Sequence, residues 1–361
     1  MRVAIVLKSF PPDAIGGMET QTKQMATELD DAGHKITVFT KRYGDHDDSD
    51  VPYEVVRVRN WQFNPFVSDL SFLIFALLAL FGRRNEFDVL QCMMIYPVGF
   101  LGYVLNKLTG IPYFAWIRGG DYYLMNDVWW KRWMMRRVLA DTLVLAQSEE
   151  IRSDVRDDFD DVDCTIDVLG NAVSVPDDTA SGEGVLYVGR LAPKKGVEYL
   201  IEAISDLDVH LTIVGDGPER EKLETMAAKS RASVTFEGFV DPDAVDDYYR
   251  SAGVFVLPSI EGEGMPNVVL EAMAWGLPVV TTNSGGLPTV IDHETTGYLV
   301  PMRNPRALAN VIKDLTNDPK KRNKIGLQAR QHVRKNHSWS ANVDELKGVY
   351  GRLTVMSVRM N

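Results

Sequence analysis

Short apolar runs alternate with amphipathic stretches along the whole chain. Val3 to Leu7, Lys35 to Thr40, Val55 to Val58 and Val89 to Met93 are runs of four to six residues rich in β-branched and other apolar side chains. Such runs, bounded by polar residues, predict strands buried on both faces. Between the first two, Met18 to Ala32 carries apolar positions at helical spacing, and Gly33-His34 follows where a left-handed glycine can close a helix. The alternation resumes with Val185 to Val188, His210 to Val214, Val234 to Phe236, Val254 to Leu257 and Pro278 to Thr281. Strand-helix alternation of this kind predicts parallel sheets covered by helices on both faces, an α/β class.

A chain of 361 residues exceeds what one core usually supports, which predicts two domains. Ser174 to Gly184 has the Pro, Gly, Ser and Asp composition of a connector, so the expected organisation is a domain over 1–174, a linker over 175–184 and a second domain opening at Val185. Trp339 to Leu353 reads as a further helix.

Two segments stand apart from this alternation. Leu70 to Phe81 is twelve uncharged residues closed by Gly82-Arg83-Arg84, too short for a bilayer span of about 20 apolar residues, and so reads as a core or interfacial helix. Trp129 to Arg137 interleaves aromatic residues with four cations. Aromatic bodies with basic tips suit a membrane interface, and the alternative is a domain helix with Trp133 and Met134 in the core and its arginines in water.

Composition narrows the partners. A formal net charge of -11 argues against a nucleic-acid binder, which carries a basic stripe. Much of the acid lies in Asp45 to Asp50 and Asp157 to Asp163; the second run lacks the glycine and distal glutamate of a calcium loop and reads as solvated acidic surface. Cys92 and Cys164 are far apart and form no CxxC, which indicates neither a disulfide framework nor a zinc site. The apolar N-terminal run is too short for a signal-peptide core, so the expected location is cytoplasmic, with a peripheral contact at the inner face of the membrane the added expectation from the two unusual segments.

The chemistry concentrates at strand ends. Glu263 and Glu271, with seven residues between them, span a junction from a glycine-containing loop to a helix that starts near Asn267. A helix N-terminus with free amides attracts phosphate, and carboxylates accept hydrogen bonds from sugar or ribose hydroxyls without needing a metal. Arg190 and Lys195 follow the strand ending at Val188-Gly189 and offer a planar fork and a point charge for phosphate oxygens. An exposed basic turn is the alternative. Gly16-Gly17 permits close approach of backbone to a ligand, or is a plain turn; Glu19 complements a helix dipole. Gly215-Asp216-Gly217-Pro218-Glu219-Arg220 lacks the third glycine of a dinucleotide fingerprint, which weakens a dehydrogenase reading.

Gly16-Gly17-Met18-Glu19, Val188 to Gly196 and Glu263 to Glu271 followed by Ala272-Met273-Ala274-Trp275-Gly276-Leu277-Pro278 resemble, in order and spacing, the motifs of the retaining nucleotide-sugar glycosyltransferases of family 4. The resemblance covers nearly the whole chain. It implies two Rossmann-like domains facing across a cleft (GT-B), the N-terminal one for acceptor, a nucleotide-sugar domain over 185–335, and a C-terminal helix over 336–361 crossing back to the first domain. It further implies catalytic roles for Glu263, Arg190 and Lys195. Donor-binding positions would include Gly16, Gly17, Gly215, Val240, Gly264, Met265, Pro266, Asn267 and Glu271, with Glu271 on the ribose. The donor would be a UDP- or GDP-sugar and the acceptor a glycan or lipid-linked saccharide, with no cofactor and no metal. Many relatives carry histidine where this chain has Arg118 in Arg118-Gly119-Gly120-Asp121. Arginine cannot act as a general base at neutral pH, so the expectation is that Arg118 binds an anionic acceptor group while Asp121 orients the acceptor or Arg118. The alternatives are a GT-B-shaped nucleotide-sugar epimerase and a catalytically silent glycan or nucleotide-sugar binder.

Overall fold

The computed structural model describes residues 1–13, 16–44, 46, 48–124, 127–241, 244–261 and 265–360. The chain forms two compact units, Met1–Asn171 with Asn342–Asn361, and Ala172–Ala341. Each is a parallel α/β layer structure with its own core.

Unit 1 contains β1 (Arg2–Val6), α1 (Gly17–Asp31), β2 (Lys35–Lys41), β3 (Glu54–Val58), α2 (Pro65–Gly82), β4 (Val89–Cys92), α3 (Phe100–Thr109), β5 (Tyr113–Ile117), α4 (Gly120–Tyr123), α5 (Trp129–Leu139), β6 (Val144–Ala146), α6 (Glu149–Asp158) and β7 (Ile166–Val168). The sheet order is β3-β2-β1-β4-β5-β6-β7. Residues of β4 and β5 are buried throughout, as expected of central strands covered on both faces, while β3 at the edge is half-buried. One face packs on α2, α3, α5 and α6 through Phe72, Leu101, Val138 and Val155. The first helix meets the other face, where Met25 Sδ accepts from Gln91 Nε2 of β4 at 3.2 Å.

Unit 2 contains β8 (Val185–Val188), α7 (Val197–Ile204), β9 (His210–Val214), α8 (Arg220–Lys229), β10 (Ser233–Gly238), α9 (Val245–Ser251), β11 (Val254–Leu257), α10 (Asn267–Ala274), β12 (Val279–Thr282), β13 (Gly297–Val300), α11 (Pro305–Asn317) and α12 (Pro319–Asn336). Its sheet order is β10-β9-β8-β11-β12-β13. The last helix, α13 (Trp339–Met360), passes from unit 2 into unit 1 at Asn342. There Tyr350 donates to Gln91 Oε1 at 2.8 Å and its ring meets His34 and Phe114.

The strands and helices predicted from periodicity are present, and Gly33 takes the left-handed conformation (φ 83°) expected of it. Four strands carry no prediction: β6 and β7 are only three residues long, β13 follows a polar turn, and the aromatic Tyr113–Ile117 run of β5 alternates too weakly to stand out. Residues 175–184 are docked on unit 2, with Ala180 N donating to Trp275 O at 2.7 Å and Ser181 N to Arg250 O at 3.2 Å. In α5 the core positions are Met135, Val138 and Leu139 and not Trp133 with Met134: the buried face is turned around the helix from that pair, and Trp133 is 46% exposed. The acidic runs are also less idle than a solvated surface. Asp48 takes Arg57 in a two-pronged pair (2.6 and 2.9 Å), Asp161 pairs with Arg136, and Asp158 accepts from the Tyr122 hydroxyl.

Candidate functional site

In an open parallel sheet, ligands sit outside the carboxyl ends of the strands where the strand order reverses. In unit 2 that point lies between β8 and β11. The loop leaving β8 carries Arg190, exposed, and Lys195, half-buried. Tyr187 of β8 donates through its hydroxyl to Arg190 O at 3.1 Å, fixing the turn that presents the guanidinium. Lys195 is followed by Gly196, left-handed at φ 63°, whose hypothetical Cβ would lie 2.3 Å from Pro258 O. Only glycine lets the β8 loop cross the β11 loop this closely. Ile260 N donates to Lys194 O at 2.8 Å across the same crossing.

The neighbouring loops join this crossing through backbone hydrogen bonds. Gly215, after β9, has φ 131° and a Cβ position 2.0 Å from Gly189 O. Gly215 N donates to Gly238 O at 2.7 Å, Leu191 N to Asp216 O at 2.9 Å, and Glu219 N to Leu191 O at 3.1 Å. Three successive strand ends are thereby laced into one rim. Val240, just past β10, is half-buried against the unit 2 core. On the other side, the β11 loop hangs from residues that the sequence reading did not single out. Thr281 Oγ1 donates to Leu257 O (2.7 Å), Thr282 Oγ1 to Ser259 O (2.5 Å) and Ser284 Oγ to Glu261 O (2.8 Å). A run of hydroxyl residues at the end of an apolar strand is the signal that would have found them.

Helix α10 begins at Asn267 with Pro266 as N-cap, so its first amides open toward this rim; Met265 is buried beside it. Gly262, Glu263 and Gly264 lie outside the described residues, and with them the expected roles of Glu263 and Gly264. Glu271 is one turn into α10. Its Oε2 accepts from the Tyr249 hydroxyl at 2.8 Å, and Tyr249, on α9, is fully buried. Burial raises the Glu271 carboxyl above the usual carboxylate range despite that hydrogen bond. Arg190, Lys195, Gly215 and the start of α10 thus share one end of one sheet: two cations, convergent amides and a carboxylate one turn below.

In unit 1 the strand order reverses between β1 and β4. Gly16 is the N-cap of α1 and Gly17 its first residue, and Ser9 Oγ donates to Glu19 Oε1 at 2.7 Å. Arg118, at the end of β5, lays its guanidinium over the Trp116 ring at 4.6 Å. Burial pushes it down to about 10, against the opposing field of Asp121 and Glu19, and it stays cationic at neutral pH. Asp121 is buried and accepts from Ile95 N at 2.7 Å and from Arg118 N at 2.9 Å. Burial pushes its carboxyl up to about 6 even so. Both of its oxygens are engaged by backbone amides, so it shapes the turn that carries Arg118.

Residues 180–332 match the family described as glycosyl transferases group 1, and residues 15–175 match glycosyltransferase family 4. An uncharacterized glycosyltransferase of Methanocaldococcus jannaschii is 29% identical over 394 aligned positions, spanning 97% of this chain and 98% of that protein. Among solved structures, sucrose-phosphate synthase of Thermosynechococcus elongatus superposes with a TM-score of 0.81 at 22% identity, over 98% of this chain and 99% of that one. Anabaena HepE, in complexes with UDP and with UDP-glucose, gives 0.76 in both at 17% and 16% identity, over 98% of this chain and 100% of that one.

Proposed function

Since the chain belongs to the GT-B glycosyltransferases of the family 4 type, we propose that it moves a hexose with retention of anomeric configuration from a UDP- or GDP-sugar to a glycan or lipid-linked acceptor, without a metal. The observation that carries this reading is the laced rim of unit 2, where Arg190, Lys195 and the N-terminus of α10 converge at the β8/β11 reversal. A departing diphosphate gains negative charge as the bond from sugar C1 to the phosphate oxygen breaks. Two side-chain cations and preorganised amides supply its stabilisation. The electron pair of that bond goes to the diphosphate, the acceptor oxygen bonds to C1, and the acceptor proton passes to the departing phosphate oxygen on the same face. Glu271 takes the ribose hydroxyls, and Glu263 the hydroxyls of the sugar. Unit 1 provides the acceptor side, with Arg118 on an anionic group of the acceptor. UDP-glucose bound to Anabaena HepE, a structural neighbour, supports a nucleotide-sugar donor.

The test is release of nucleotide from a panel of UDP- and GDP-sugars, with and without membrane lipid extract and with and without EDTA, beside Lys195→Ala and Glu263→Ala. Acceptor-dependent release from one donor, unchanged by EDTA and lost in both variants, is the expected result. The anomeric proton coupling of the product then reports retention or inversion. An isomerised sugar nucleotide without acceptor would make the protein an epimerase, and donor binding without turnover under any condition would make it a binder.

A further inference from the structure

Charge is spread unevenly over a chain whose net value is -11. Helix α12 holds seven Lys and Arg residues and no acid in its 18 residues. Ile325, Ala329 and Val333 bury one side of it on unit 2, and Gly326 lets it press so close that a Cβ there would lie 1.9 Å from Gly276 O. The outward stripe runs through Lys320, Lys324, Leu327, Gln331 and Arg334, all exposed. At i, i+3 and i, i+4 spacing it extends about 21 Å. Two of the seven cations are engaged: Lys321 pairs with Asp314, and Arg330 donates to Pro176 O and Asp177 O. Lys320, Arg322, Lys324, Arg334 and Lys335 meet no carboxylate among the described residues.

Beside the first turns of this helix lies a cavity of about 320 Å³. Arg322, Asn323 and Leu327 line it together with Thr179, Ser181 and Gly253. Arg322 Nη1 is 3.3 Å from the Cβ position of Gly253, so a side chain there would close the space next to the guanidinium. Gly253 and Pro278 lead into β11 and β12, which puts the cavity at the amino ends of these strands, the opposite edge from Arg190 and Lys195.

Unit 1 carries the complement. Glu149 to Asp163, which is α6 and the turn after it, has eight carboxylates against Arg152 and Arg156. Four are engaged within the unit: Glu149 on Arg152, Asp161 on Arg136, and Asp154 and Asp158 on the hydroxyls of Tyr123 and Tyr122. Asp157, Asp160 and Asp163 are exposed at three-residue intervals, and no cation pairs with them among the described residues.

We propose that α12 of one copy of the chain seats on the Glu149 to Asp163 segment of a second copy, with a carboxylate of that segment beside Arg322 in the cavity. The contact joins unlike patches, and a two-fold axis that repeats it in reverse closes it as a dimer. The net charge of -11 does not oppose this, because in about 0.1 M salt fields fade over about 10 Å and the facing charges decide. A bilayer fits worse, since Leu327 is the single large apolar side chain exposed on α12. A nucleic acid also fits worse: the helix has no Phe, Tyr or Trp to stack bases, and the rest of the chain repels a long polyanion. The inference goes beyond the transfer reading and is measured without donor or acceptor.

The test is sedimentation velocity of the full chain at about 50 mM and about 500 mM NaCl. A dimer is expected at the lower salt and a monomer at the higher. Lys320→Glu with Lys324→Glu should weaken the dimer about 100-fold, since it turns four attractive sites per dimer repulsive. Asp157→Lys with Asp160→Lys should do the same. Both pairs are exposed, so melting temperatures should stay at the parent value. An equimolar mixture of the two variants should recover the dimer, because one of its contacts is native and the other is reversed on both sides. A parent chain that is monomeric at both salts, a dimer that either variant leaves intact, or a mixture that stays monomeric overturns the proposal. A monomer that binds a poly-glutamate peptide, with the binding lost in the Lys320/Lys324 variant, would also overturn it and assign α12 to an acidic segment of a different protein.

Discussion

The carboxyl edges of the two sheets are built by different means. In unit 2 the loops after β8, β9 and β10 are tied backbone to backbone, and glycines stand where a Cβ would meet a carbonyl at 2.0 to 2.3 Å. In unit 1 the strand ends share backbone bonds too, such as Met93 N to Val6 O at 3.0 Å, but the turns that carry Glu19 and Arg118 are set by charged or aromatic side chains: Asp121 to two amides, Ser9 to Glu19, and Arg118 stacked on Trp116. A backbone cradle reads the shape and charge of its ligand and leaves little to vary. An edge held by side chains can be retuned by a single substitution. Under the transferase reading, that difference assigns a standard diphosphate to unit 2 and the choice of acceptor to unit 1.

The contrast breaks most sharply at glycine. Gly215→Ala would set a Cβ 2.0 Å from Gly189 O at a φ of 131°. We expect it to cost about 3 kcal/mol or more and to abolish donor turnover, read by thermal melting and nucleotide release. Gly17→Ala, whose Cβ meets nothing within 4 Å, should stay within about 0.5 kcal/mol. A Gly215→Ala protein that melts and turns over like the parent would remove the distinction. Next in size is Arg190→Ala. This exposed cation should leave melting unchanged and lower turnover by about 100-fold, since its effect is on the leaving charge.

On the unit 1 side, Asp121→Asn should cost about 2 kcal/mol, because an amide offers one acceptor where two backbone N–H groups now converge. The pH dependence sharpens this. The Asp121 carboxyl, ordinarily near 3.8, is pushed up to about 6 in the folded chain, so the folded state holds the extra proton between those values. Its contribution to stability therefore falls as pH rises through that window, and urea unfolding across it should show a slope that the Asn variant lacks. Arg118→Ala should raise acceptor KM by about tenfold and leave donor binding as it was. The smallest expected effect is Tyr249→Phe, about 1 kcal/mol, with the Glu271 carboxyl moving further above its usual range and a modest loss of donor affinity.

The same division explains what could be read from the sequence. Unbroken apolar runs such as Val254 to Leu257 announce their strands, and the glycine and cation spacing of Val188 to Gly196 announces the unit 2 rim, because backbone crossings dictate residue type. The hydroxyl run at Thr281, Thr282 and Ser284 marks anchors of some kind, but not which carbonyls they hold, since Thr282 and Ser284 find Ser259 and Glu261 across 23 residues of chain. The inward turn of Asp69 on α2 was not legible, since it depends on Lys8 and Lys41 reaching it from two other strand ends. Strands β6 and β7 are too short to carry a period. Tyr249 reads as one more helical tyrosine until its hydroxyl is seen on Glu271.

Tyr350 on α13 donates to Gln91 in the middle of the first sheet, while Val173 N and His337 O, 2.8 Å apart, clasp the two connections through which unit 2 departs and returns. Unit 2 is in effect an insertion within unit 1. During synthesis the ribosome must therefore deliver the whole of the later unit before the earlier one can seat its last helix. The first-made half would wait, incompletely covered, on the second, and shortening the chain before Tyr350 should damage the N-terminal fold while sparing the one that precedes the cut.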